Sequence, residues 1–402
     1  MKSCFILCLI LFSLQGKAQS IYDHWQSPDS SEKSISLKTT FESNANTLPN
    51  SMLAGLLWGG YLDATYLNDV KDKLKNSGNR FGFQFNNQAF YQWKSPKHEW
   101  VVGLKYRELF GLKFSKDLFG LAFLGNGPYE GKDADISNTK LGYWNYTGIS
   151  AGMIKPINTY SSLYAGLSIL YGLNYQSLTT KDAHIYTASE GEYIDTKGDI
   201  KVGYKEPGYG LGVALNSTYR FQKGANTFAL ELQDFGFMQF QNFTTYEGHS
   251  DYKYKGANVS NLTNFTGDSL FSDFTANGFA KRFNVTETKK SKTVLTPFIL
   301  SGHFARKLTD KWKASMEVYY TYIPAYIPKT SVRVYRSLNN NWNVSAGISH
   351  GGFGNQNLLL GTKKDFRKRW SFQIETYFLG IALAPNNTKG GFGLSAGIRK
   401  GF

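Results

Sequence analysis

The chain has 402 residues, 45 Lys and Arg against 30 Asp and Glu, a formal net charge of +15, and 16% aromatic residues beside 41 Gly and 10 Pro. Its only cysteines are Cys4 and Cys8, so the rest of the chain carries no disulfide framework, thiolate metal site or cysteine nucleophile. No later stretch approaches the roughly eighteen consecutive apolar residues of a membrane helix, and the scattered basic residues fit an anionic membrane surface better than nucleic acid.

In chain order, residues 1–18 read as a signal peptide. Lys2 opens it, Cys4 to Leu14 is its apolar run, and Gly16-Lys17-Ala18 precedes cleavage before Gln19. The run is too short to span a bilayer, and Leu7 is too bulky for a lipoprotein site at Cys8. Next, "SISLKTTFES" (34–43) and "MLAGLLWGGYL" (52–62) compete as the first strand. "DATYLNDVKDKLK" (63–75) predicts a short amphipathic helix with Leu67, Val70 and Leu74 on one face.

From residue 79 onward, apolar and polar residues alternate with period two. Phe81, Phe83 and Phe85 oppose Gly82, Gln84 and Asn86. Trp100, Val102, Leu104 and Tyr106 oppose Val101, Gly103, Lys105 and Arg107. The same pattern covers 207–222, 311–323 and 368–383, runs well beyond the five or six residues typical of soluble strands. It suits tilted strands with apolar residues toward lipid and polar residues toward a lumen.

Six short polar turns recur, at 93–100, 155–164, 220–228, 306–312, 336–342 and 364–370, often with an aromatic residue restarting the strand. Longer connections, near 109–140, 178–206 and 247–292, separate them. Short turns on one side and long loops on the other characterise outer-membrane barrels. Six inner turns imply seven hairpins, hence an all-β, transmembrane antiparallel β-barrel of about 14 strands, within roughly 12–18. The stretch 19–402 forms the barrel, with 247–292 as a long extracellular loop. About 45–78, including the short helix, is expected to fold inward as an N-terminal plug or hatch. The final strand alternates through Phe392, Leu394, Ala396 and Ile398 to Phe402. It closes the barrel so that no edge is left in lipid.

Fourteen strands, a C-terminal strand ending on Phe402 and a candidate plug resemble the outer-membrane long-chain fatty-acid transporters. The stretch "LFGLKFSKDLFGLAFLGNGPYEGKDADISNTKL" (109–141) with "YTGISAGMIKPI" after it looks like a family of uncharacterised outer-membrane barrels of the Bacteroidota. The resemblance implies a Gram-negative outer-membrane location and contacts with outer-membrane lipid, lipopolysaccharide and the assembly machinery that reads a terminal aromatic such as Phe402. It carries over no catalytic residue and no substrate.

Few residues suggest chemistry. The six histidines show no metal-ligand spacing, and "DADIS" (133–137) lacks the rest of a calcium loop. There is no G-x-S-x-G sequence; Ser301 and His303, on one strand face, are the best available pair. No cofactor, metal, nucleic-acid partner or enzymatic activity is expected. Parity instead points Lys105, Arg107, Arg220, Glu231, Gln233, Lys313, Glu317, Gln373, Glu375 and Arg399 into the lumen. The expected function is a porin-like channel or transporter for a hydrophobic or amphipathic small molecule. The alternative is a non-transporting barrel that anchors a surface or export complex. Oligomeric state is not legible.

Overall fold

The computed structural model describes residues 33–59, 62–96, 98–205, 209–254, 285–339, 341–366, 369–376 and 389–402. The signal peptide expected over residues 1–18 lies outside the described residues.

The described chain forms one antiparallel sheet of seventeen strands. They are β1 (Lys33–Pro49), β2 (Asn79–Lys94), β3 (Glu99–Phe114), β4 (Lys132–Asp135), β5 (Lys140–Asn158), β6 (Ser161–Thr187), β7 (Ile194–Lys205), β8 (Gly210–Lys223) and β9 (Asn226–Tyr254). The series continues with β10 (Thr286–Leu295), β11 (Ile299–Lys307), β12 (Trp312–Thr321), β13 (Ile327–Asn339), β14 (Trp342–Gly352), β15 (Gln356–Phe366), β16 (Trp370–Thr376) and β17 (Lys389–Gly401). Fourteen of them close a barrel. β1 pairs with β2 on one side and with β17 on the other, from Ser34 opposite Gly401 to Asn44 opposite Gly391. The Phe402 N–H donates to the Lys33 carbonyl at 2.9 Å, so the seam is bonded to the last residue. The remaining three strands, β4, β7 and β10, extend the wall on β6 and β9 at the end with the long connections.

The first strand is thus 34–43 with its flanks. Within 52–62, residues 52–58 belong to a helix, α1 (Asn50–Trp58). Two further helices follow, α2 (Ala64–Lys73) and α3 (Lys116–Leu124). Asp63 caps α2 by accepting the Tyr66 N–H at 2.8 Å, and Ser115 caps α3 through the Leu118 N–H at 3.0 Å. No helix among the described residues is long and apolar enough to cross a membrane.

Alternation sorts the wall into two faces. Leu104, Ile149, Leu167, Ile169, Val213 and Ile348 are large apolar side chains left 57–70% exposed on the outside. A soluble sheet would bury such a face; here it is the lipid contact. Aromatic rings gather at the short-turn end, where Tyr91, Trp93 and Trp100 stack in sequence at 5.4 and 6.4 Å. Arg336 lies over Trp312 at 5.2 Å and Lys400 over Trp370 at 5.0 Å, an arrangement suited to the interfacial layer. The short turns carry local polar locks: Asn158 Oδ1 accepts the N–H groups of Tyr160 and Ser161, both at 2.9 Å.

The long connections differ in two respects from the sequence expectation. Residues 247–254 are strand paired with β7, and 286–292 are strand paired with 240–247 of β9; of the loop expected over 247–292, residues 255–284 lie outside the described residues. Residues 45–49 belong to β1, so the segment joining β1 to β2 is 50–78. Leu67, Val70 and Leu74, the candidate plug residues, pack with Met52, Leu53, Phe114, Phe119 and Phe392. The wall residues in this cluster, among them Phe81, Leu112 and Phe392, occupy outward positions, because their neighbours Gly82, Gly111 and Gly391 take the inward ones. The apolar helix face thus meets the apolar outside of the rim rather than the polar lumen, and the three helices form a collar there.

The lumen is crossed by other segments. The β12–β13 connection brings in Ile323 and Tyr326, with Pro324 against Gly111 and Gly142, and the β14–β15 turn brings in Phe353. They pack with Leu109, Trp144, Tyr146, Leu170, Met238 and Phe240 from the opposite wall. Docking depends on Gly82, Gly111 and Gly142, which face one another across β2, β3 and β5. A Cβ on Gly82 would sit 2.5 Å from Phe353 Cε1, and one on Gly142 would sit 2.8 Å from Pro324 Cδ.

Candidate functional site

Below these loops the lumen holds a polar network centred on Asp234. On β8 a register shift between Leu215 and Ser217 leaves Asn216 opposite two residues of β9, Gln233 and Asp234. Asp234 takes a positive φ of 54°. This bulge lets two consecutive side chains point inward, where strict alternation allows one. Asn216 Oδ1 accepts the Asp234 N–H at 3.1 Å, and Thr296 Oγ1 donates to the Asp234 carbonyl, replacing ladder bonds that the bulge removes.

The Asp234 carboxylate has no solvent exposure. It is bonded by Lys105 Nζ, by the Tyr146 hydroxyl at 3.1 Å, and is paired with Arg107 Nε at 3.4 Å. Lys105 Nζ also donates to Ser168 Oγ at 2.9 Å, and Ser168 accepts from Asn216 Nδ2 at 2.7 Å. Arg107 Nη2 continues to Gln233 Oε1 at 2.5 Å, and Gln233 Nε2 to Glu231 Oε1 at 2.7 Å. Five strands therefore converge on one acid shared by two cations. Removing the acid leaves two buried charges uncompensated.

On the far wall a second set of pairs faces the first. Lys329 bonds Glu42 at 2.7 Å. Arg333 bonds Glu375 at 2.9 Å and lies 3.7 Å from Glu317. Between the sets is a cavity of about 140 Å³ bordered by Gln84, Asn86, Arg107, Glu231, Tyr319 and Glu375.

The ten residues singled out by parity do not form a single site. Lys105, Arg107, Glu231 and Gln233 join the Asp234 network; Glu317 and Glu375 join Arg333. Gln373 is buried beside them on β16, across from Gly397. Arg220 and Lys313 line two separate cavities at the short-turn end, of about 320 and 390 Å³. Arg399 is half-buried opposite Ser36 and Ser371. Ser301 donates to Glu231 Oε2 at 3.3 Å, so its hydroxyl is directed at a carboxylate of β9. No cluster of three metal-ligating side chains occurs among the described residues.

Sequence reasoning missed Asp234, Glu42, Lys329 and Arg333. Three of these had a usable signal. Lys329, Ser331 and Arg333 alternate with Thr330, Val332 and Val334, and Glu42 shares the parity of Ser34 and Ser36. Asp234 had none from alternation, which assigns it to the lipid face beside Gln233; the hint is an acid in "LQDFGF", since Asp tolerates positive φ better than most residues.

No protein-family model matches the chain, and no curated protein matches it. Among solved structures, it is similar to a deltaS2S3 mutant of the monoaromatic hydrocarbon channel TodX. That likeness has 7% identity and a TM-score of 0.48, covering 93% of this chain and 91% of the other. The Ralstonia pickettii toluene transporter TbuX gives 9%, 0.46, 93% and 90% for the same quantities, and a Pseudomonas aeruginosa FadL homologue 9%, 0.44, 92% and 89%. Likeness at this level says nothing of the residues of the site.

Proposed function

We propose that the protein is a gated channel of the bacterial outer membrane that passes a small amphipathic solute. The observation that carries this reading is the pair of loops, 322–326 and 353–355, that cross the lumen and rest on a row of glycines. Contacts of this kind, between a short loop and a bare backbone, separate without breaking the barrel ladder. Beneath the gate the path runs past Trp144, Tyr146 and Tyr319 and then the polar cavity, a sequence that favours a solute with both an apolar and a polar part over a purely hydrophobic one. Short turns and both described chain ends share one side, which in an outer membrane is the periplasm; the gate then faces outward.

The ion pairs that bridge the lumen favour a second reading, a permanently filled barrel that anchors other proteins. One measurement separates the two. Replacing 322–326 by two glycines and Phe353 by Ala, in protein that still shows heat-modifiable migration, should raise single-channel conductance in planar bilayers several-fold. Unchanged conductance in that folded variant supports the anchor and removes the gate.

A further inference from the structure

The cavity between the two ion-pair sets contains polar groups that the protein does not use. Arg107 Nη1 and Gln84 Nε2 have no hydrogen-bond partner among the described residues, although the Arg107 side chain is fully buried and Gln84 is 3% exposed. Asn86 Oδ1, on the same face of β2 as Gln84, is also without a partner. All three residues border the cavity. Leaving such groups bare is costly, and three of them on residues around one cavity indicate something to be bonded there.

Charge and donor pattern narrow its chemistry. The cavity border carries four basic and four acidic side chains. Behind Arg107, Asp234 balances Lys105. A bound anion or cation would therefore add one uncompensated charge to a balanced set; a neutral solute would not. The unused groups include two donors and one acceptor. A carbonyl only accepts, whereas a hydroxyl does both, and vicinal hydroxyls match donors and acceptor together. A volume of about 140 Å³ is close to the ~150 Å³ that holds one six-membered ring.

We infer that this cavity is a binding subsite for an uncharged, hydroxyl-bearing head group about the size of a monosaccharide, held by Arg107, Gln84 and Asn86. The assignment deepens the gated-channel reading and rests on it for the route by which the solute arrives. Binding is measured without transport, so a negative result here leaves the conductance of the loop variant as an independent outcome.

The test uses the full-length protein in dodecyldimethylamine oxide, a detergent without a sugar head group, titrated with methyl β-glucoside, glycerol or hexanoate and followed by saturation-transfer NMR. Methyl β-glucoside is expected to bind saturably, with hexanoate failing to compete. Gln84→Leu should weaken binding about tenfold, the equivalent of one hydrogen bond near the upper end of its usual worth. Asn86→Leu, at a less buried position, gives a second measure should Gln84→Leu misfold. Preferential binding of hexanoate would make the site an anion site and overturn the proposal. So would the absence of saturable binding by either hydroxylated probe, or equal binding by both variants and the parent.

Discussion

The inner and outer faces of the wall at the long-connection end are both apolar, yet they are packed by different parts of the chain. Inside, Ile323, Pro324, Tyr326 and Phe353 arrive from short connections on the opposite wall and settle over Gly82, Gly111 and Gly142. Outside, α1, α2 and α3 settle over Phe81, Leu112 and Phe392. Neighbouring residues of the same strand, Gly82 and Phe81, or Gly111 and Leu112, thus receive opposite partners. Small inward residues admit a backbone to close approach; large outward residues offer area. Hydrophobicity alone does not tell the two packings apart, but strand parity does.

The largest effect is expected at the inward polar centre. Asp234→Ala leaves Lys105 and Arg107 buried without their acid and should cost about 3–5 kcal/mol, read as a large drop in the temperature at which the heat-modifiable band unfolds. A loss below about 1 kcal/mol would mean that the lumen wets freely and that the inner face resembles solvent. The two apolar packings are then compared directly. Phe353→Ala and Leu53→Ala each empty a fully buried position and should cost about 2–5 kcal/mol. Only Phe353→Ala should raise conductance, because Leu53 belongs to the collar. Equal conductance gains in both would erase the distinction between gate and collar. Gly111→Val should cost about 1–3 kcal/mol by overpacking, since its Cβ would meet the Pro324 carbonyl and lie 3.1 Å from Phe353 Cε1. It should also shift the channel toward open events, whereas Ala45→Val on the collar side should not.

The same comparison explains what was legible. Period-two alternation and six polar turns specify the closed barrel, because each pattern reports a requirement of lipid: an apolar outer face and no free edge. The terminal strand through Ile398 to Phe402 was legible for that reason. The gate was not. "YIPAYI" (322–327) and "GGFGNQ" (351–356) are too short to show a period, and their direction depends on Gly82, Gly111 and Gly142, far away in the chain. The helix at 63–75 was legible as a helix through Leu67, Val70 and Leu74. Which side of the wall it covers was not, because an apolar stripe fits a plug and a collar equally well. At Asp234, the bulge reverses parity over one residue, so the centre of the site lies where the most reliable pattern fails.

The smallest expected effect lies on the outer face, where Glu108 interrupts the lipid-facing row. Its carboxylate accepts from the Tyr143 hydroxyl at 2.9 Å and the Tyr106 hydroxyl at 3.3 Å, so the outer face has its own satisfied polar group, though without a buried cation. In Glu108→Gln the remaining carbonyl oxygen still accepts from one tyrosine, and the amide nitrogen donates to the oxygen of the other. What is lost is the extra strength of a charged acceptor; what is gained is relief from holding a charge beside lipid. These oppose each other, and the net loss should stay near 1 kcal/mol, far below that of Asp234→Ala. The unfolding temperature of the heat-modifiable band measures it. If Glu108→Gln proved as damaging as Asp234→Ala, the outer carboxylate would hold the wall as firmly as the inner one, and the contrast between a charged lumen centre and a lipid-facing exterior would no longer account for where this barrel invests its polar groups.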